Sequence, residues 1–236
     1  MSNKPKIRTP FFETGVKNYI YGDAVLEYAR AADAASKEHD VDVLFVAPYT
    51  ELRRVRENTD RLIVLAPYMD ALQPGRGIAD VLPEALKAAG AQGVVLNHSE
   101  RPMTLNAIRK TIDRANELDL LTFICADSIV EAQALALFHP DILNPEPTEL
   151  IGSGNVSDMG YVREVIRAVK SIDRSILVEQ AAGITTSQQV YDFIMVGSEA
   201  VGSASGILTS ANPYALLNEM IHSVSRARED LAKRNE

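Results

Sequence analysis

One cysteine, Cys125, in 236 residues leaves no internal disulfide and fits a chain that works in a reducing compartment, the cytoplasm. Positive charge is also in short supply: 24 Lys and Arg stand against 32 Asp and Glu, a net charge of −8. A nucleic-acid groove needs clustered cations to meet phosphates, so this balance argues against nucleic acid as a partner. Long apolar runs are missing too. VDVLFVA (41–47) and GVVL (93–96) fall far short of the roughly 20 residues that span a bilayer, and no membrane partner is expected. The N-terminal MSNKPKIRTP is basic, but no apolar signal core follows it, so secretion is not expected. No linker rich in Gly, Pro or Ser and no low-complexity segment divides the chain. Residues 1–236 therefore read as one domain.

What the sequence does contain is alternation. Short, mostly apolar, strand-like runs occur at 41–47, 61–66, 93–97, 120–126, 141–145, 175–180 and 200–204, several of them rich in Val, Ile or Phe. IRTPFFET (7–14) is a first strand whose Pro10 marks an edge or lead-in. Helical patterns lie between. In 23–39, Val25, Tyr28, Ala29 and Ala32 recur at helical spacing, and the alanines around 29–35 suit helix packing. TLNAIRKTIDRANEL (104–118) opens on a Thr cap and places Leu105, Ile108, Ile112 and Ala115 on one face. VLPEALKAAG (81–90) ends on glycine, SDMGYVREVIRAVKSI (157–172) repeats the pattern, and 212–234 opens on Pro213 and closes in basic residues.

About eight strand–helix beats predict βα units with parallel strands, and strands apolar throughout suit a sheet buried on both faces. An open doubly wound sheet and a closed (β/α)8 barrel both satisfy that pattern. The length and the number of units favour the α/β barrel in a single domain. The missing GxGxxG after the first strand weakens the dinucleotide-binding alternative.

In a barrel, chemistry comes from the C-terminal ends of several strands. Those ends carry Lys17, His98, Cys125 and Glu146, with small-residue turns AAG (181–183) and ASG (204–206). A Lys, a His and a Glu beside exposed backbone N–H groups suit proton transfer next to a phosphate or other anion. Glu146 stands between Pro145 and Pro147, which fix their own φ and bias Asn144 and Glu146 away from helix. Cys125 reads as a packed small side chain, Glu100 as a supporting ion-pair partner of the site, and Glu149 as solvent-facing. HSE lacks a second ligand at metal spacing, so neither a metal nor another cofactor is expected.

LNHSERP (96–102) and EPTELIGSG (146–154) resemble the histidine and flexible-loop signatures of the triosephosphate isomerase family. With AAGITT (181–186) and ASGILTSANP (204–213), the chain is most similar to its shorter archaeal-type branch. The likeness runs from the Lys17 region to the last helix, with the motifs in family order. It implies an aldose–ketose isomerase acting on a small phosphorylated sugar through an enediolate. Dihydroxyacetone phosphate and glyceraldehyde 3-phosphate are the expected pair. Another short sugar phosphate, such as a tetrulose phosphate, is the alternative substrate, and a phosphate-binding homologue without catalysis is the other alternative. The resemblance makes Glu146 the base, His98 a neutral electrophile and Lys17 the cation beside the substrate oxygens. It puts the phosphate on backbone N–H groups near Ile151, Gly152, Gly183, Ala204 and Ser205, and makes 147–154 a lid. It also implies a homodimer or homotetramer.

The pattern breaks in two places. Where the family has Asn-X-Lys at the end of strand 1, this chain has Gly15-Val16-Lys17. A donor is lost there and room is gained in the substrate pocket. Asn18 follows, but strand alternation points its side chain away. Glu13 adds a negative charge close to an anion site. At 66–70, APYMD replaces the Gln-His pair usual in the archaeal-type branch, a region used for subunit contacts and for shaping the pocket.

Overall fold

The computed structural model describes residues 3–234. Eight strands, β1 (Phe11–Gly15), β2 (Val43–Val46), β3 (Ile63–Ala66), β4 (Gly93–Leu96), β5 (Leu121–Ala126), β6 (Ile142–Pro145), β7 (Leu177–Gln180) and β8 (Ala200–Gly202), pair in chain order and close on themselves, β8 against β1. Every pairing is parallel. The helices are α1 (Asp23–His39), α2 (Leu52–Glu57), α3 (Pro83–Ala88), α4 (Leu105–Glu117), α5 (Ile129–Ala136), α6 (Met159–Ile172), α7 (Ser187–Met195), α8 (Ser205–Leu208) and α9 (Pro213–Arg234). The long α9 packs on α7 and α1 and completes the outer ring. This is the closed α/β barrel, in place of the open sheet. Among the described residues, no helix is long and apolar enough to cross a membrane.

Local chemistry sets the helix starts. Thr104, Ser128 and Asp158 accept backbone N–H bonds at the starts of α4, α5 and α6. Thr186 and Gln189 form a reciprocal capping box on α7. Two expectations shift. The first strand begins at Phe11 and not Ile7, just after Pro10, whose ring nitrogen has no proton to give a ladder. Leu105 leaves the expected apolar face: it is 53% exposed, while Ile108, Ile112 and Ala115 are buried. As the first residue after the cap it stands at the end of α4, clear of the strands.

Two apolar regions form. The larger lies between the strands and the helices and includes Val25, Tyr28, Phe45, Val165 and Met220. The smaller fills the cylinder with Phe11, Leu44, Ile63, Leu65, Val95, Leu121, Phe123, Cys125, Ile142 and Ala200. Strand alternation carries that inner face onward to Glu13 and Gly15 on β1, Asn144 on β6, Glu179 on β7 and Gly202 on β8. The upper third of the cylinder is therefore polar where the lower part is dry hydrocarbon. Glu179 is fully buried, and neither of its carboxyl oxygens has a hydrogen-bond partner among the described residues. Burial, followed by the charges of Glu13 and Glu146, pushes its pKa well above the usual carboxylate range.

Two outcomes follow for stability. Gly93 pairs with Leu65 and Leu121, and a Cβ there would stand 2.5 Å from Leu65 Cδ2 and 2.9 Å from the Leu121 carbonyl oxygen. Gly93→Ala is expected to cost about 1–3 kcal/mol through overpacking, seen as a lower thermal midpoint. For Glu179, folding keeps the carboxyl neutral while the unfolded chain ionises it. Its contribution is therefore present at acid pH and is lost as pH rises towards the folded pKa. Glu179→Gln should melt close to wild type near pH ~4.5 and roughly 5 °C or more above it near pH ~8. Equal midpoints at both pH values would contradict a neutral Glu179.

Candidate active site

The strand C-termini open onto a cavity of about 450 Å³. Lys17, His98 and Glu146 all line it, as do Gly15, Ile151, Gly152, Gly183, Ala204 and Ser205. Residues separated by nearly 190 positions in the chain thus meet at one mouth because each follows a strand of the same closed sheet.

Lys17 follows β1 with φ 44°, a left-handed conformation that costs a residue with a Cβ about 1 kcal/mol. Its Nζ donates to Glu100 Oε1 at 2.8 Å, so Glu100 is the ion-pair partner expected of it. The same backbone kink ends strand alternation. Asn18, expected to point away, lines the rim of the cavity, because β1 stops at Gly15 and the left-handed Lys17 turns the chain.

His98 follows β4. Its Nδ1 accepts the backbone N–H of Glu100 at 3.1 Å. A nitrogen that accepts carries no proton, so this bond leaves the ring proton on Nε2. Burial first, and the positive charge of Lys17 second, hold the His98 pKa below its usual value. The imidazole is neutral and a donor at Nε2.

The turn that holds His98 depends on its neighbour. Asn97, buried and at φ 56°, donates from Nδ2 to the Cys125 carbonyl and to Glu131 Oε1, and accepts from the backbone N–H of Met103. Glu131 Oε2 in turn accepts the Asp127 N–H at 2.6 Å. This Asn97–Glu131 brace ties the ends of β4 and β5 together. Sequence reasoning passed over both residues. The signal available was an Asn directly before the histidine, a residue type that tolerates left-handed backbone.

Glu146 leaves β6 with its N–H bonded to the Ala126 carbonyl at 2.7 Å. Its buried carboxyl borders the main cavity and a smaller one lined by Ser99, Pro102, Asp127 and Thr148. Burial pushes its pKa up to about 7, with Lys17 pulling the other way. Cys125 is buried and its thiol is pushed up by burial and by the nearby glutamates, which makes it a packed side chain and not a nucleophile.

The loop after Glu146 makes a single 3-10 turn, Thr148–Leu150, and then turns through Gly152 and Gly154, both at positive φ. Glu149 is exposed, as expected. The far end of the loop rests on the AAG turn: a Cβ on Gly183, itself at φ 72°, would overlap the Asn155 carbonyl oxygen at 1.7 Å. The turns after β7 and β8 are equally close. Ser203 Oγ donates to the Ile184 carbonyl at 2.8 Å, and a Cβ on Gly206 would meet that oxygen at 2.1 Å. In the APYMD segment, Tyr68 donates to Asp70 at 2.6 Å, and the Arg101 guanidinium lies 4.2 Å from the Tyr68 ring centre. Pro67, Tyr68 and Arg101 form one wall of the cavity. Among the described residues, no cluster of His, Cys, Asp or Glu could hold a metal ion.

A family model described as triosephosphate isomerase matches residues 14–187. A triosephosphate isomerase of Sulfurisphaera tokodaii is 33% identical over 209 residues, covering 88% of this chain and 91% of the relative. One of Methanocaldococcus jannaschii is 32% identical over 207 residues, covering 86% and 94%. One of Methanobacterium bryantii is 31% identical over 221 residues, covering 92% and 97%. With the barrel closed and the motifs in order at its mouth, the chain belongs to the triosephosphate isomerase family.

Proposed function

We propose that this chain interconverts dihydroxyacetone phosphate and glyceraldehyde 3-phosphate by proton transfer through an enediolate. The observation that carries the reading is the convergence of Lys17, His98 and Glu146 on one cavity beside the small-residue turns. The names of the relatives support it.

The chemistry follows from where each group sits. The Glu146 carboxylate takes a proton from the carbon that carries the hydroxyl, and electrons move into the adjacent carbonyl. His98, a neutral Nε2–H donor, hydrogen-bonds the oxygen as it gains charge, and Lys17 adds a positive charge beside the same oxygens. Glu146 then returns the proton to the neighbouring carbon, while His98 Nε2 gives its proton to one enediolate oxygen and takes the hydroxyl proton from the other, so aldose and ketose exchange without any external oxidant. The phosphate is held by backbone N–H groups at Gly183, Ala204 and Ser205, where a turn of chain leaves donors without intrahelical acceptors. Ile151 and Gly152 bring the 147–154 loop over it as a lid that excludes water.

Burial strengthens Glu146 as a base but delays its ionisation. Only the ionised form can take a proton, so kcat/KM should rise with pH through about 7. Protonating Glu146, whose pKa is raised on folding, does not weaken the fold, so the loss as pH falls through about 7 is one of activity. Glu146→Gln is expected to lower kcat by roughly 10²–10⁴-fold with an unchanged fold by circular dichroism. Full activity in that variant would show that another group is the base. Assaying wild type on three- to five-carbon sugar phosphates tests the substrate. Turnover of a tetrulose phosphate alone would overturn the triose assignment, and binding without turnover would overturn catalysis. Lys17→Ala should reduce kcat/KM at least tenfold, with an effect on the inert phosphate end smaller than the effect on turnover.

Tyr19, Tyr21 and Ile78, on loops at the strand C-terminal end, are exposed apolar side chains and suit contact between copies, as a homodimer or homotetramer. Sedimentation as a monomer at micromolar concentration would overturn that. A reducing cytoplasm and the triose step shared by glycolysis and gluconeogenesis are the matching place of work.

A further inference from the structure

One cavity-lining acid has no task in the proton transfer between Glu146 and the substrate. Glu13 lies on the inner face of β1, two residues before Gly15, and lines the same cavity as Lys17, His98 and Glu146. Its two oxygens are aimed differently. Oε2 lies 2.5 Å from the point where a Cβ on Gly202 would stand, and Glu179 Oε1 lies 2.3 Å from that point. The missing side chain at 202 is thus the space in which the two acids face each other. Oε1 lies 3.7 Å from the corresponding point on Gly15, where Val46 of β2 stands closer, its Cβ at 2.9 Å, so the absent asparagine leaves less room there than expected.

The surroundings decide which form of Glu13 can exist there. Glu146 at the end of β6, Glu179 on β7 and Cys125 on β5 face it with groups that are neutral or negative, and the Tyr28 hydroxyl of α1 lies on the other side of β1. Among the described residues, Lys17 is the one cation that acts on it. The neighbouring strands β2 and β8 present Val46 and Gly202, which carry no charge. Lys17 is already paired with Glu100. An ionised Glu13 would add a further negative charge next to Glu146, with no hydrogen-bond donor among the described residues to meet it. The neutral acid avoids that and has an O–H to give.

We propose that the Glu13 carboxyl donates a hydrogen bond to a substrate oxygen in the cavity it lines. This rests on the isomerase reading above and adds a fourth side chain to the site. Burial and the charge of Glu146 push the Glu13 pKa up to about 8, against the pull of Lys17, in keeping with a donor present at neutral pH. The donor acts where negative charge develops on the enediolate oxygens, so its loss falls on kcat more than on KM. Glu179 faces it across Gly202 as a second buried acid.

The test compares Glu13→Gln, which keeps an N–H donor, with Glu13→Leu, which keeps bulk and loses the donor. Glu13→Leu should lose at least tenfold in kcat/KM for dihydroxyacetone phosphate at neutral pH, mostly in kcat. Glu13→Gln should lose only about threefold. In wild type kcat/KM should fall as pH rises through about 8, and in Glu13→Gln that fall should disappear. Equal losses in the two variants, or an alkaline fall that persists in Glu13→Gln, would overturn the proposal. Calorimetry with dihydroxyacetone phosphate in a Glu146→Gln background reads the contact without turnover. There Glu13→Leu should weaken binding more than Glu13→Gln, and equal affinities would also overturn it. Absence of wild-type turnover with this binding order intact would sink the isomerase reading and leave the contact standing.

Discussion

Closing eight parallel strands into a cylinder removes every sheet edge and leaves an interior that only side chains can fill. That constraint orders the rest of the molecule. Residues on alternate positions must either meet inside the cylinder or pack under the helices, and each strand therefore carries apolar groups on both faces. At the lower end the demand is met by Phe11, Leu44, Ile63, Leu121 and Ile142. At the upper end the filling changes to Glu13, Asn144 and Glu179, with Gly15 and Gly202 between them. The change from hydrocarbon to carboxyl along one strand face is what turns a packed core into a reactive floor.

The electrostatics of that floor are one-sided. Glu13, Glu146 and Glu179 share a region where Lys17 is the nearby cation, and all three are pushed towards their neutral forms. Burial is the leading cause in each case. The imidazole of His98 is handled in the opposite sense. It is kept neutral by burial and by Lys17, and its tautomer is fixed by a single backbone N–H from Glu100. Lys17 therefore acts on both classes of group at once, favouring ionised carboxylates and disfavouring an imidazolium. Its left-handed backbone is the local strain that puts it there.

The strands were legible in the sequence because burial on both faces makes them short, continuous apolar runs. VDVLFVA and LLTFICA contain β2 and β5 with a residue or two to spare at the ends. The long helices were legible through period and caps, α1 to the residue. The short ones left weaker marks. LRRVRE in α2 spans six residues, and IVEAQALA in α5 exposes Val130 while burying Ala132 and Leu135, so neither shows a clean stripe. The capping box at Thr186 and Gln189 was a readable signal for α7. At the mouth, Lys17, His98 and Glu146 could be placed because each follows a strand end. The Glu13–Glu179 pairing and the Asn97–Glu131 brace could not, since both join side chains brought together only by barrel closure or by a left-handed turn. Asn18 was misplaced for the same reason: alternation holds within a strand and stops where the strand does.

The close approach of Gly183 to the Asn155 carbonyl links two stretches that the chain separates by α6 and β7. Neither stretch can be redrawn alone. A longer or shorter loop after β6 would shift that carbonyl, and the turn after β7 has no side chain to trim in compensation. The two segments are bound to drift together through evolutionary time, and a graft of the loop from a relative would have to bring its matching turn along.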